Sequence, residues 1–150
     1  MINYYWMNQV AGQATITPMA QDEIAALGAS LRKIDQKLLT PAQSGATRVW
    51  YQGGEPYFDV FAELRQGKIE WFQFTLRGQS ISWNSRISGW KTGITNEYRG
   101  DDLTFYAASK LIETDKQPDL AFVNLVCSIL ETRAGEDVFD QMLSLFHTRN

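Results

Sequence analysis

The stretch WFQFTLRGQSISW, residues 71–83, alternates apolar and polar side chains on both sides of a central Arg77-Gly78 pair. Such alternation is typical of a β-strand with one buried face, and an X-Gly pair between two such runs is typical of a two-residue hairpin loop. Because a two-residue loop fixes the register, each residue before it has one expected partner after it. The predicted pairs are Thr75 with Ser80, Phe74 with Ile81, Gln73 with Ser82, Phe72 with Trp83, and Trp71 with Asn84.

A second X-Gly pair, Gln66-Gly67, predicts that residues 57–65 form the preceding strand. Uninterrupted pairing across this loop places Leu64 opposite Ile69 and Asp59 opposite Phe74. One face of the predicted sheet, the expected core, then collects Tyr57, Phe61, Phe72, Phe74, Leu76, Ile81 and Trp83. Asp59 also falls on this face, where a carboxylate must meet a partner, lie at an open edge, or be turned outward by a bulge.

The other predicted face is divided into an apolar and a polar half. The apolar half is Phe58, Val60, Ala62, Leu64, Ile69 and Trp71, and the polar half is Gln73, Thr75, Ser80, Ser82 and Asn84. We expect an N-terminal helix to cover the apolar half and to leave the polar half as the floor of a groove. The predicted binding residues are therefore Trp71, Gln73, Thr75, Ser80, Ser82 and Asn84. Serine and threonine also suit ordinary solvent-facing strands, so a purely structural role is the alternative.

The remaining sequence predicts helices on either side of the strands. Thr17-Pro18 is a typical helix start, and apolar residues at spacings of three and four extend from Ile24 through Leu38 to a stop at Thr40-Pro41. Strands are predicted at 47–52, 57–65, 68–76, 79–84 and 91–96, followed by helices beginning after Asp102, after Gln117-Pro118-Asp119 and after Gly135. Segregated strands and helices predict an α+β fold with an antiparallel meander of four to five strands, about 47–96, in one domain, 1–150.

Composition excludes several classes of function. A net charge of −3, with 14 basic residues scattered along 150, argues against binding to a nucleic acid. The start MINYYWMNQV has neither the basic nor the continuous apolar region of a secretory signal, and no stretch is apolar enough to span a membrane. We therefore expect a cytoplasmic protein with a protein or small-molecule partner. A homodimer formed through the aromatic residues 4–6 is another option.

Catalytic motifs are missing from the sequence. A single histidine, His147, and a single cysteine, Cys127, do not favour a nucleophile-histidine arrangement or a metal cluster, and we predict no cofactor and no metal. The carboxylates left for acid-base chemistry are Asp59 and the cluster Glu97/Asp101/Asp102. Glu63 and Glu70 are expected to face each other across the first hairpin as a surface pair relieved by Arg65, Lys68 or solvent.

These observations favour a non-catalytic binding or protein-interaction module. Its expected contact surface is the polar sheet face together with the polar segment at 89–99, which is predicted to be a loop between the sheet and the C-terminal helices. The alternative is a cryptic enzyme that uses Asp59 or the Glu97/Asp101/Asp102 cluster.

Overall fold

The computed structural model describes residues 19–42, 44–95 and 112–147. Its helices are α1 (Gln21–Ser30), α2 (Leu120–Glu131) and α3 (Asp137–His147). Its strands are β1 (Arg32–Lys33), β2 (Ala46–Gln52), β3 (Asp59–Arg65), β4 (Lys68–Leu76), β5 (Gln79–Asn84), β6 (Ile87–Thr95) and β7 (Ile112–Thr114). The strands form one antiparallel sheet in chain order, so the α+β class and the central meander are confirmed. The short edge strands β1 and β7 were not predicted.

Both predicted hairpin loops are present. Gln66 and Gly67 have φ angles of 52° and 79°, and Arg77 and Gly78 have φ angles of 51° and 82°. Two consecutive positive φ angles are the signature of a type I′ turn, whose twist matches that of the flanking strands. The predicted register of the second hairpin is confirmed at all five pairs, from Thr75/Ser80 to Trp71/Asn84.

The predicted register of the first hairpin is wrong beyond its loop. Leu64 pairs with Ile69 as expected, but Glu63 then pairs with Trp71, so that Glu70 is an extra residue and forms a β-bulge. A one-residue shift exchanges the faces of every later pair. Val60 and Ala62 therefore lie opposite Phe74 and Phe72, on the same face as the core rings, whereas Asp59 and Phe61 lie on the other face, opposite Thr75 and Gln73.

The N-terminal helix is shorter than its apolar stripe predicts. α1 ends at Ser30, and Arg32 and Lys33 pair with β2 instead of continuing the helix. Leu38, the last residue of the stripe, lies in a short 3-10 turn, and 71% of its surface is exposed. At this end of the helix, Arg133 Nη1 donates hydrogen bonds to the carbonyl oxygens of Gly28 and Leu31, at 2.8 and 2.7 Å, and so satisfies carbonyl groups that a helix end leaves without helical partners.

The three described helices pack on one side of the sheet, which we call the first face. Ile24 and Leu27 of α1, and Leu31 directly after it, belong to the same buried apolar cluster as the side chains of α2, α3 and β2–β5. The contacts between sheet and helices are largely aromatic: Tyr51 with Phe139, Phe74 with Phe122 and Phe72 with Phe146, with ring centroids 4.6, 6.4 and 5.7 Å apart. α1 was expected to cover Phe58, Val60 and Leu64 on the opposite side of the sheet, the second face. It does share a buried cluster with these three residues, but the cluster lies on the first face.

The sheet edges are closed in different ways. At β2, Ile34 N donates to Trp50 O at 2.8 Å and Gln36 Nε2 donates to Arg48 O at 2.6 Å, so residues 32–36 cover the main chain of that strand. At the other edge, β7 pairs with residues 93–95 of β6. The first half of β6 contains a second bulge, where Gly89 has a φ of 81°. A bulge interrupts the regular spacing of main-chain groups and so opposes pairing with another strand.

Residues 89–99 were predicted both as a strand at 91–96 and as a polar loop. The strand is confirmed over its described part, because residues 89–95 belong to β6, and the loop prediction is wrong there; residues 96–99 lie outside the described residues. The side chain of Thr92 lies on the first face and connects the sheet to α2. Its hydroxyl donates to Asp115 Oδ2 at 2.7 Å and accepts from Asp119 N at 2.9 Å. Asp119 caps α2 by accepting a hydrogen bond from Phe122 N at 3.1 Å, which confirms the predicted start of this helix.

The predicted helix after Asp102 lies outside the described residues, whereas the helices after Asp119 and Gly135 are confirmed as α2 and α3. In the described part of the chain, no helix is long and apolar enough to cross a membrane.

Cys127 gives a test of the packing of α2 in solution. The thiol is buried, and loss of solvation raises its pKa to about 12. Because the thiolate is the reactive form, we expect the native protein at about pH 8 to react with a disulfide reagent about 1,000-fold or more slowly than the urea-unfolded chain does. Absorbance of the released thiol measures both rates. Comparable rates in the two states would show that α2 is not packed as described.

Candidate functional site

The second face of the sheet carries all six of the predicted binding residues. Trp71 pairs with Asn84, Gln73 with Ser82 and Thr75 with Ser80, so these side chains form three successive cross-strand pairs on one face. The bulge at Glu70 adds Phe61 and Asp59 to this face, and pairing with β2 adds Trp50 and Arg48. The sheet therefore groups the predicted residues on one face and adds side chains that the predicted register had not placed there.

Burial on the second face increases from one end to the other. At the closed end, the exposed fractions are 6% for Asp59, 5% for Gln73, 0% for Thr75 and 1% for Ser80. At the other end, Trp50, Trp71, Ser82 and Asn84 are half-buried, and Lys91 of the adjacent strand is exposed. The accessible part is thus a corner of the face formed by β2–β5. It consists of six half-buried residues, Arg48, Trp50, Glu63, Trp71, Ser82 and Asn84, around the ring of Phe61, which is only 9% exposed. We call these seven residues the open corner.

Three aromatic side chains form the centre of the open corner. Trp50 and Phe61 are directly opposite each other on β2 and β3, and Phe61 contacts Trp71 of β4 edge-on, with ring centroids 5.8 Å apart. The orientation of Trp50 is fixed because its indole Nε1 donates a 3.0 Å hydrogen bond to Asp59 Oδ1. Aromatic side chains with a fixed orientation offer a large contact area at a small cost in conformational entropy.

Ion pairs line one border of the open corner. Arg48 Nε lies 3.0 Å from Glu63 Oε2, and Arg65 Nε lies 3.1 Å from Glu70 Oε1. The two guanidinium groups are also held by main-chain oxygens, those of Thr40 at 3.3 Å and Ser44 at 3.0 Å. Glu63 and Glu70 were expected to face each other across the hairpin as a surface pair relieved by Arg65, Lys68 or solvent. The bulge instead puts Trp71 opposite Glu63, and each glutamate has its own arginine.

Asp59 occupies a different environment from the one predicted. It was expected among the core rings, but the bulge at Glu70 places it at the closed end of the second face, opposite Thr75. Besides the indole of Trp50 it makes at least one more interaction, and Gln73 is also partnered. Thr75 Oγ1 donates to the carbonyl oxygen of Tyr57 at 3.3 Å. Asp59 therefore borders the open corner through Trp50, but its side chain is buried and already partnered.

The other predicted carboxylates, Glu97, Asp101 and Asp102, lie outside the described residues. Across residues 19–42, 44–95 and 112–147, no group of three or more histidine, cysteine, aspartate or glutamate side chains is arranged to hold a metal ion. His147 ends α3 and is exposed.

Trp50 and Phe61 are the site residues that sequence reasoning missed. A usable signal was present for Trp50, because RVWYQ at 48–52 alternates so that Val49 and Tyr51 point to the core and Trp50 to the other face. Phe61 had no such signal, since its face depends on a bulge in a different strand.

Comparison with known proteins adds no assignment. No protein-family model matches the chain, and neither a curated protein nor a solved structure matches it.

Proposed function

We propose that this protein is a non-catalytic binding module whose contact surface is the open corner of the second face. The observation that supports this most is the grouping of Trp50, Phe61 and Trp71 on the side of the sheet opposite the described helices. Half-exposed tryptophans at a surface that also offers amide and hydroxyl groups are typical of recognition sites for proteins and small molecules. The proposal takes the protein to act in the cytoplasm, as its sequence predicts.

The polar side chains of the corner support binding over catalysis. Ser82 and Asn84 are half-buried beside Trp71 and can exchange hydrogen bonds with a partner, but neither is an acid or a base at neutral pH. The carboxylate of Glu63 is engaged by Arg48. A chemical step needs a group that can accept or release a proton within reach of a substrate, and the residues of the corner support such a role less well than they support contact.

Substitution of Trp71 tests the proposal. Tagged wild type, Trp71→Ala and Leu38→Ala are used to recover partners from the native cell, and bound proteins and small molecules are quantified by mass spectrometry. Leu38 is the matched control, because it is a large exposed apolar residue in the 3-10 turn, outside the second face. A central tryptophan typically contributes 2 kcal/mol or more to an interface, so we expect recovery with Trp71→Ala to fall about 30-fold.

Recovery with Leu38→Ala should equal that with wild type. The recovered partner is then titrated against the purified proteins and followed by tryptophan fluorescence, which separates direct binding from indirect capture. Equal affinity of wild type and folded Trp71→Ala for the partner would refute the assignment of the site. Circular dichroism shows whether the variant is folded.

A further inference from the structure

We propose that the open corner pairs with the open corner of a second copy of this chain, face to face, to form a weak symmetric dimer. The inference rests on the proposed function and names the partner of that same surface. A symmetric dimer requires one patch to be complementary to itself, in shape and in charge.

The border charges are self-complementary. Arg48 and Arg65 contribute two positive charges and Glu63 and Glu70 contribute two negative charges, so the border is neutral but carries both signs. Such a border gives no net attraction to a polyanion or to a charged membrane surface. Two copies related by a two-fold axis can instead place the arginines of one opposite the glutamates of the other.

The centre and the border both suit association between proteins. Trp50 and Trp71 are half-buried in the single chain and therefore have surface left to bury. Tryptophan and arginine are among the residues enriched at protein interfaces and at their energetic hot spots. The guanidinium groups of Arg48 and Arg65 are already fixed by the carbonyl oxygens of Thr40 and Ser44, so little conformational entropy is lost when a second copy binds.

The edges of the sheet offer no competing route to a dimer among the described residues. The β2 edge is covered by residues 32–36, and the part of β6 that extends past β7 is interrupted by the bulge at Gly89. Edge-to-edge pairing between copies requires a regular, unpaired main chain. Face-to-face contact at the open corner does not require it.

The size of the corner sets the expected affinity. The open corner spans four strands about 4.8 Å apart and two rows of side chains about 7 Å apart, which gives a patch of about 200–300 Å² in flat projection. A stable interface buries about 800 Å² on each partner. The dimer should therefore be weak and should dissociate on dilution through the micromolar range.

Sedimentation velocity of the full-length chain from about 1 to about 500 μM tests the inference. We expect the mass to rise from the 17.1 kDa of the monomer toward twice that value. Glu63→Arg changes the border charge from 0 to +2, and Arg48→Glu changes it from 0 to −2. Each variant alone should dimerise at least tenfold more weakly than wild type, because it repels its own copy. An equimolar mixture of the two should recover association.

Leu38→Ala is the control and should dimerise as wild type does. A wild-type chain that stays monomeric throughout the concentration range would overturn the inference, and it would leave the proposed function standing if partner recovery still depends on Trp71. A dimer that is unaffected by Glu63→Arg and by Arg48→Glu would place the contact elsewhere and would equally overturn it. Circular dichroism of both variants confirms that a loss of association is not a loss of fold.

Discussion

Deletion of Gln73 is expected to lower the free energy of unfolding by about 3–5 kcal/mol or more, whereas deletion of Glu70, in the same strand, should leave a folded protein. Removing Gln73 puts the two parts of β4 out of phase. The deletion makes Phe72 and Phe74 adjacent, and adjacent residues of a strand point to opposite faces. Whichever way the strand realigns, at least one of these two fully buried side chains must therefore leave the first face. Removal of one phenylalanine side chain from a core costs about 3–5 kcal/mol, which is enough to explain the expected loss of stability.

Deletion of Glu70 is tolerated for the opposite reason. Glu70 is the extra residue of the bulge, so without it Ile69 and Trp71 become neighbours and every remaining pair with β3 is kept. The protein loses one half-exposed ion pair to Arg65 and the 2.9 Å hydrogen bond from Ser85 N to Glu70 O. Together these are worth about 1–2 kcal/mol.

Urea denaturation of the two deletion variants measures both quantities, and near-ultraviolet circular dichroism reports whether the aromatic core is intact. An unfolded Glu70 deletion beside a stable Gln73 deletion would contradict the register of the first hairpin.

Replacement of Arg133 by methionine should destabilise the protein by about 3 kcal/mol. Arg133 links three parts of the fold: it binds the carbonyl oxygens of Gly28 and Leu31 at the end of α1, forms an ion pair with Glu136, and lies 5.2 Å from the ring centroid of Phe139. Methionine keeps much of the aliphatic packing but removes two charge-assisted hydrogen bonds. Gly28 O then keeps only the 3.2 Å bond from Leu31 N, and Leu31 O loses its bond from Arg133.

Glu136→Gln is the matched comparison for Arg133→Met. It removes the charge that faces the guanidinium group but leaves the bonds from Arg133 to α1 in place, so its cost should be about 1 kcal/mol or less. Midpoints and slopes of urea unfolding curves give both values. Equal stability of Arg133→Met and wild type would show that α1 ends where it does without the help of this side chain.

The second hairpin could be predicted pair by pair because its information is local. The Arg77-Gly78 loop fixes the register, and the alternation of residues 71–83 fixes the faces. The first hairpin has an equally clear loop, but residues 59–65 carry apolar side chains at both parities: Val60, Ala62 and Leu64 on one, Phe61 on the other. Either register buries apolar surface, and no glycine marks the bulge at Glu70.

The candidate site, like the sheet, could be predicted from the sequence only in the part that belongs to the second hairpin. Trp71, Ser82 and Asn84 share the open corner because they belong to the hairpin whose register was known. The position of Trp50 depends on pairing between β2 and β3, and that of Phe61 depends on the bulge. The early end of α1 is bound by Arg133, more than 100 residues away in the chain, and no pattern within residues 21–38 indicates this contact.

The two ends of α2 are tied to different parts of the molecule. At its start, Asp119 N donates a hydrogen bond to the hydroxyl of Thr92 in β6. Just beyond its end, Arg133 donates a hydrogen bond to the carbonyl oxygen of Gly28 in α1. The helical layer therefore cannot separate from the sheet, or α1 from α2, without breaking polar bonds that are at least partly shielded from water. Opening of one layer alone should cost nearly as much free energy as complete unfolding. We therefore expect the described helices and the sheet to unfold as one cooperative unit, with slow amide hydrogen exchange across both layers.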